Sequence, residues 1–149
     1  MIQPFAAAAL LALLPMSALA DQTVSVSQPW ARASIIASRP GAAYLTLESR
    51  TGDRLTGAST PAADELMIHA AEEANGVSRM VHLPALDLPA GEPVTLAPGG
   101  MHLMLVGLAA KLEEGASFPM TLRFERAPDL TIKVPVLGIA ARGPEDMSQ

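Results

Sequence analysis

Apolar and polar residues alternate along this chain in short runs, each cut off by proline, glycine or a polar turn sequence. A period of two sends successive side chains to opposite faces of an extended strand, one toward a core and one toward solvent. On that pattern the sequence predicts strands over 23–27, 42–48, 54–59, 66–71, 77–83, 93–96, 102–106, 118–125 and 130–136. No stretch keeps a helical period for the length of a typical helix; only 62–66 (AADEL) and 108–113 suggest a single helical turn. Turn signals fill the gaps: RTGD at 50–53, Asn75-Gly76, PAG at 89–91, PGG at 98–100 and APD at 127–129. Asn75-Gly76 is the strongest, because both residues tolerate the positive φ of a tight hairpin turn. Many short strands at regular spacing predict an all-β fold, an antiparallel β-sandwich.

The start of the chain departs from this pattern. MIQPFAAAALLALLPMSALA carries no charged side chain and ends on the small-residue pattern Ala18-Leu19-Ala20. It predicts an export signal over 1–20, cleaved after Ala20, although the usual positive n-region is missing. A retained membrane anchor needs about 20 clean apolar residues, and Gln3, Pro4, Pro15 and Ser17 interrupt this run. The expected organisation is therefore a signal at 1–20, one β domain at 21–139 and a polar, disordered tail at 140–149, with no stable membrane insertion. Ten Lys and Arg against fifteen Asp and Glu give a net charge of -5, with both signs scattered. The absence of a basic stripe argues against nucleic acid as a partner. With no cysteine in the chain, thiol chemistry and disulfides are excluded, and stability must come from packing.

The candidate chemistry lies in the three histidines, each of which has a methionine two residues away: Met67 and His69, Met80 and His82, His102 and Met104. Residues so spaced on a strand share a face and stand about 7 Å apart. If the three strands converged at one end of the sandwich, up to six donors could approach one point. Imidazole with thioether is a soft donor set that favours Cu(I) over calcium, magnesium or zinc. A blue-copper centre needs a cysteine thiolate, which the chain lacks. Zinc held by three histidines and an acid such as Glu72 is the weaker alternative. Methionine is more often a core filler than a ligand, and Met67, Met101 and Met120 are read as packing residues.

His69, Met80, His102 and Met104 form the spacing H-x10-M-x21-H-x-M, which resembles the signature of the periplasmic copper chaperone family known as PCuAC. The surrounding sequence is similar to that family too: AYLTL at 43–47, ASTPA at 58–62, LPAG at 88–91, PGG at 98–100, LEEG at 112–115 and TLRFE at 121–125. The resemblance implies a cupredoxin-like β-sandwich that binds one Cu(I) through His69, Met80, His102 and Met104. It also implies delivery in the periplasm to a copper-receiving protein, either a cytochrome c oxidase subunit or another copper chaperone. Many family members carry a His- and Met-rich C-terminal extension, whereas this tail has Met147 and no histidine. His82 lies outside the signature.

The other candidates are weaker. The PGG turn could cradle an anion, but no Lys-Ser or Lys-Thr follows it. Ser78, His82 and Asp87 could be drawn as a hydrolytic triad, yet no nucleophile elbow surrounds the serine. Glu72-Glu73 and Glu113-Glu114 read as solvated charges, and Trp30 and Tyr44 as core anchors. The chain is read as a non-enzyme. Its rivals are an exported binding or adhesion module that ignores metal, and a metal-dependent enzyme with Glu72 or Glu73 as general base.

Overall fold

The computed structural model describes residues 23–144; the predicted signal and residues 145–149 lie outside the described residues. Ten strands follow one another: β1 (Val24–Arg32), β2 (Gly41–Ser49), β3 (Asp53–Ser59), β4 (Ala63–Ala74), β5 (Val77–Leu83), β6 (Leu86–Leu88), β7 (Pro93–Leu96), β8 (His102–Leu108), β9 (Ser117–Phe124) and β10 (Leu130–Leu137). Hydrogen bonding links them in the order β5-β4-β8-β2-β1-β10-β9-β3-β6, with β7 also pairing with β2. The expected all-β architecture is observed.

The path folds over at β1 and β10, which pair in parallel through Ala31↔Val136 and Arg32↔Leu137. All other pairings between these strands are antiparallel. The two layers so formed share one core: Leu45, Leu47, Leu103 and Leu105 come from one side, and Leu55, Leu88, Met120, Leu122 and Val134 from the other. All are close to fully buried. Removing such apolar area from water is the main force that presses the layers together. Met120 is a core filler as expected, and Met101 packs at the edge of the same cluster.

Several elements differ from the sequence expectation for identifiable reasons. β1 continues past Ser27 because a bulge absorbs Pro29, which has no N–H for the ladder: Gln28 takes a positive φ of 51° and pairing resumes at Trp30. Residues 62–66 do not form a helical turn. β4 begins at Ala63, paired with Leu108 of β8, so cross-strand pairing overrides a local preference worth tenths of a kcal/mol per residue. Nor is 108–113 helical; the Leu112 N–H donates to Ser34 Oγ and its carbonyl accepts from the Ser34 N–H, tying this segment to the β1–β2 loop. The Asn75-Gly76 turn joins β4 to β5 with φ values of 54° and 76°, as its hairpin signature requires.

The tail read as disordered packs back onto the domain for its first residues. Ala141 is buried beside Trp30, Tyr44 and Leu137, and Arg32 donates to its carbonyl at 2.8 Å. Trp30 and Tyr44 are anchors, but of this small second cluster on the outer face of the sheet rather than of the main core.

Asp53 fastens the opposite layer. Its buried carboxylate accepts N–H bonds from Arg54, Arg126 and Ala127 at 2.8, 3.0 and 2.9 Å, which pins the β9–β10 turn to β3. Burial pushes the carboxyl pKa up, but the backbone donors and the Arg126 charge outweigh it and hold the group below the ordinary carboxylate value. Asp53→Ala is expected to lower unfolding free energy by about 2–3 kcal/mol, since it orphans backbone donors, as read by urea denaturation. In the wild type this contribution is complete above the unfolded carboxyl pKa and fades as pH falls below it.

Candidate metal site

β4 lies between β5 and β8, so its residues have a partner on each side. His69 pairs with His82 of β5 and with His102 of β8. Directly paired residues of an antiparallel ladder point to the same face, and the three imidazoles therefore form a row across three neighbouring strands. Ring centroids are 5.8 Å apart for His69 and His82, and 5.7 Å for His69 and His102. One step along the ladder Met67 pairs with Met104; one step the other way Ala71 pairs with Met80.

Alternation explains why these donors face outward together. Ile68, between Met67 and His69, pairs with Leu83 and Leu103 and is buried in the main core, as are Leu103 and Leu105 on either side of Met104. The apolar neighbours turn inward and fix the register, because a slip of one residue would bury the imidazoles. The three strands thus meet as neighbours in one sheet, with the donors on its outer face, and do not converge at an end of the sandwich.

Solvent access falls steadily across the row. Met80 on the edge strand is 57% exposed, His82 is exposed, His69 is half-buried, and His102 is only 7% exposed. Beyond His102 the face continues to Ala42, which pairs with Met104 and packs on the tilted Trp30–Tyr44 ring pair, whose centroids are 4.5 Å apart.

The ring nitrogens are poised to donate lone pairs. His102 Nδ1 lies 3.4 Å from the Gly100 carbonyl. A carbonyl can only accept, so this contact places the proton on Nδ1 and leaves Nε2 free for a ligand. Gly99 supports it with a φ of 86°, which lets residues 97–101 close as a turn. His69 Nδ1 is buried and has no hydrogen-bond partner, a costly state for a polar atom unless something occupies it. Burial, then the neighbouring His102 and His82, lower the His69 pKa below the ordinary histidine value, which keeps the ring neutral and able to coordinate.

The set fits a soft ion. Two half-buried or buried imidazoles stand side by side, and thioethers lie one ladder step to either side, Met104 opposite Met67 and Met80 opposite Ala71. Among the described residues no three or more His, Asp or Glu are placed to hold a metal. The acid invoked for zinc or for catalysis is displaced: Glu72 pairs with Arg79 on the opposite face, its carboxylate 3.5 Å from the guanidinium. Glu73 shares the face of His69 but lies four residues along the strand, roughly 14 Å away. The drawn triad is also dispersed, since Ser78 pairs with Glu73 while Asp87 sits on β6 in an ion pair with Arg54 at 2.8 Å.

Met67, read as a packing residue, lies half-buried on the same face as the histidines. It is the direct partner of Met104 on that face. Its spacing of two from His69 was the available signal.

The all-β fold is shared with PCuAC domains of solved structure. The apo PCuAC domain of PmoF2 is 28% identical at a TM-score of 0.69, covering 81% of this chain and 94% of that one. The copper-bound PCuAC domain from PmoF2 is 27% identical at 0.66, covering 78% and 93%. The solution structure of CuI-DR1885 from Deinococcus radiodurans is 30% identical at 0.59, covering 80% and 83%. In sequence, the "putative lipoprotein Lxx21020" of Leifsonia xyli subsp. xyli is 37% identical over 117 residues, 76% of this chain and 69% of that protein. The profile of the family described as "putative lipoprotein LpqE-like" matches residues 24–136, and the chain belongs to this LpqE-like family.

Proposed function

We propose that the chain is an exported copper metallochaperone that carries one Cu(I) on His69, Met80, His102 and Met104. The observation that carries this reading is the row of outward imidazoles flanked by thioethers, with a buried, unpartnered Nδ1 on its central member. Neutral imidazole and thioether donors suit a monovalent soft cation, which needs no carboxylate to balance a second charge. Similar proteins of solved structure hold copper, as their names state. A carrier must also release its cargo, and a site on a sheet face beside an edge strand is open to ligand exchange.

Export to the periplasm is supported by the apolar, uncharged start of the chain and by the lipoprotein names of its sequence relatives. These 149 residues contain no cysteine, so they offer no thiol for lipid attachment. The recipient in this reading is a copper-receiving protein of cytochrome c oxidase assembly, following the resemblance of the H-x10-M-x21-H-x-M spacing. The acids considered as general base in the enzyme reading lie away from the imidazoles: Glu72 pairs with Arg79, and Glu73 sits four residues along the strand from His69.

Anaerobic titration of the mature domain with Cu(I), in competition with a chromogenic chelator, tests the reading. One equivalent bound tightly is the expected result. Absence of binding would return the His and Met pairs to packing, and leave a β-sandwich binding module as the remaining function.

A further inference from the structure

Resting on the Cu(I) reading above, we propose that His82, outside the four-residue signature, is the hand-over ligand: copper leaves the inner pair His69–His102 by moving onto His82 at the edge strand. His69 stands between two imidazoles at nearly equal centroid distances, 5.7 Å to His102 and 5.8 Å to His82. Both are its direct register partners and all three share one face. The two outer rings differ in access, since His102 is buried while His82 is exposed on β5, which ends the sheet. An ion between His69 and His102 is therefore sheltered from a second protein. The same ion between His69 and His82 is presented to one, and Met80, on the same strand face as His82 and 57% exposed, can stay bound through the move.

The step is a ligand exchange without redox change. The bonds from copper to His102 Nε2 and Met104 Sδ break; a bond to a neutral His82 ring nitrogen forms, and a donor atom of the acceptor fills the remaining position. Copper stays monovalent, every ligand keeps its protons, and no co-reactant is consumed. The geometry also gives the move a direction, because the acceptor can approach at the edge of β5, unpaired among the described residues, while the Trp30–Tyr44 cluster backs the other side.

The test compares wild type, His82→Ala and His82→Met, each loaded with Cu(I) under anaerobic conditions. Two quantities are read: equilibrium affinity, and the rate of copper loss to excess bathocuproine disulfonate in stopped flow. His82→Ala is expected to keep one equivalent with affinity within about threefold, while its transfer rate falls about tenfold, a barrier change of the size one lost bond can impose. His82→Met, which restores a soft donor, should recover most of the rate. An unchanged rate in His82→Ala overturns the proposal, and so does an affinity loss as large as that of His102→Ala, which would make His82 a resting ligand. A wild type that binds no Cu(I) removes the copper reading itself. Because His82 is exposed, its replacement leaves the packed core untouched.

Discussion

His102→Ala is expected to reduce Cu(I) affinity on the order of 100-fold or more, with the domain still folded. The size follows from the ring's position. Loss of a group that merely orients a metal ligand costs about 10–100-fold, and loss of a ligand costs at least as much. His102 is the least exposed of the three histidines, its Nδ1 is engaged at the Gly100 carbonyl, and its ring stands 5.7 Å from that of His69, centroid to centroid. The residues beside it offer no substitute, since Leu103 turns to the core and Ala42 on the far side has no donor. The fold is preserved because the layer contact depends on Leu103 and Leu105, which the substitution leaves in place. Chelator competition gives the affinity, and near-ultraviolet circular dichroism of the Trp30–Tyr44 pair reports whether packing survives. A variant with wild-type affinity would remove His102 from the site.

Much of this face was legible from spacing. The i, i+2 placement of Met and His on three strands puts each pair on one face, and the apolar residue between them states which way that face turns. Parity could also have excluded Glu72, since it is an odd number of residues from His69 and belongs to the other face. Strand neighbours were not legible. Contact between His69 and His102 depends on β4 pairing with β8, which lies more than thirty residues away and across three intervening strands in sequence. Alternation fixes a strand's faces but not its partners, which depend on how the whole core closes. The same limit hid the pairing of Met67 with Met104. It also hid Asp53, whose three backbone donors come from its own strand and from a turn over seventy residues on. The short β6 carries too few residues for a period to show, and the Ala- and Glu-rich start of β4 reads locally as helix until pairing with β8 decides it.

Copper binding is expected to weaken steeply as pH falls, and the direction of the His69 shift sets where. A protonated imidazole has no lone pair for the metal, so apparent affinity drops about tenfold per pH unit for each ligand histidine once pH passes below its pKa. An ordinary histidine titrates near 6.5. Burial and the neighbouring imidazoles hold His69 below that value, so its lone pair persists to more acidic pH than an exposed histidine's would. Affinity should thus be flat above about pH 7, and its loss through His69 should begin below the ordinary histidine range. Met80 and Met104 do not titrate, and contribute nothing to the slope. The same shift acts on the empty domain in the same direction. Between the depressed folded pKa and the unfolded value, the unfolded chain binds more protons, so the stability linked to His69 is complete above the unfolded pKa and is lost as pH falls through the folded one. Titrations with Cu(I) from pH 7.5 to 5, paired with urea unfolding of the apo domain over the same range, separate the two effects. An affinity constant across that range would count against histidine ligation, whatever the stability of the apo domain does.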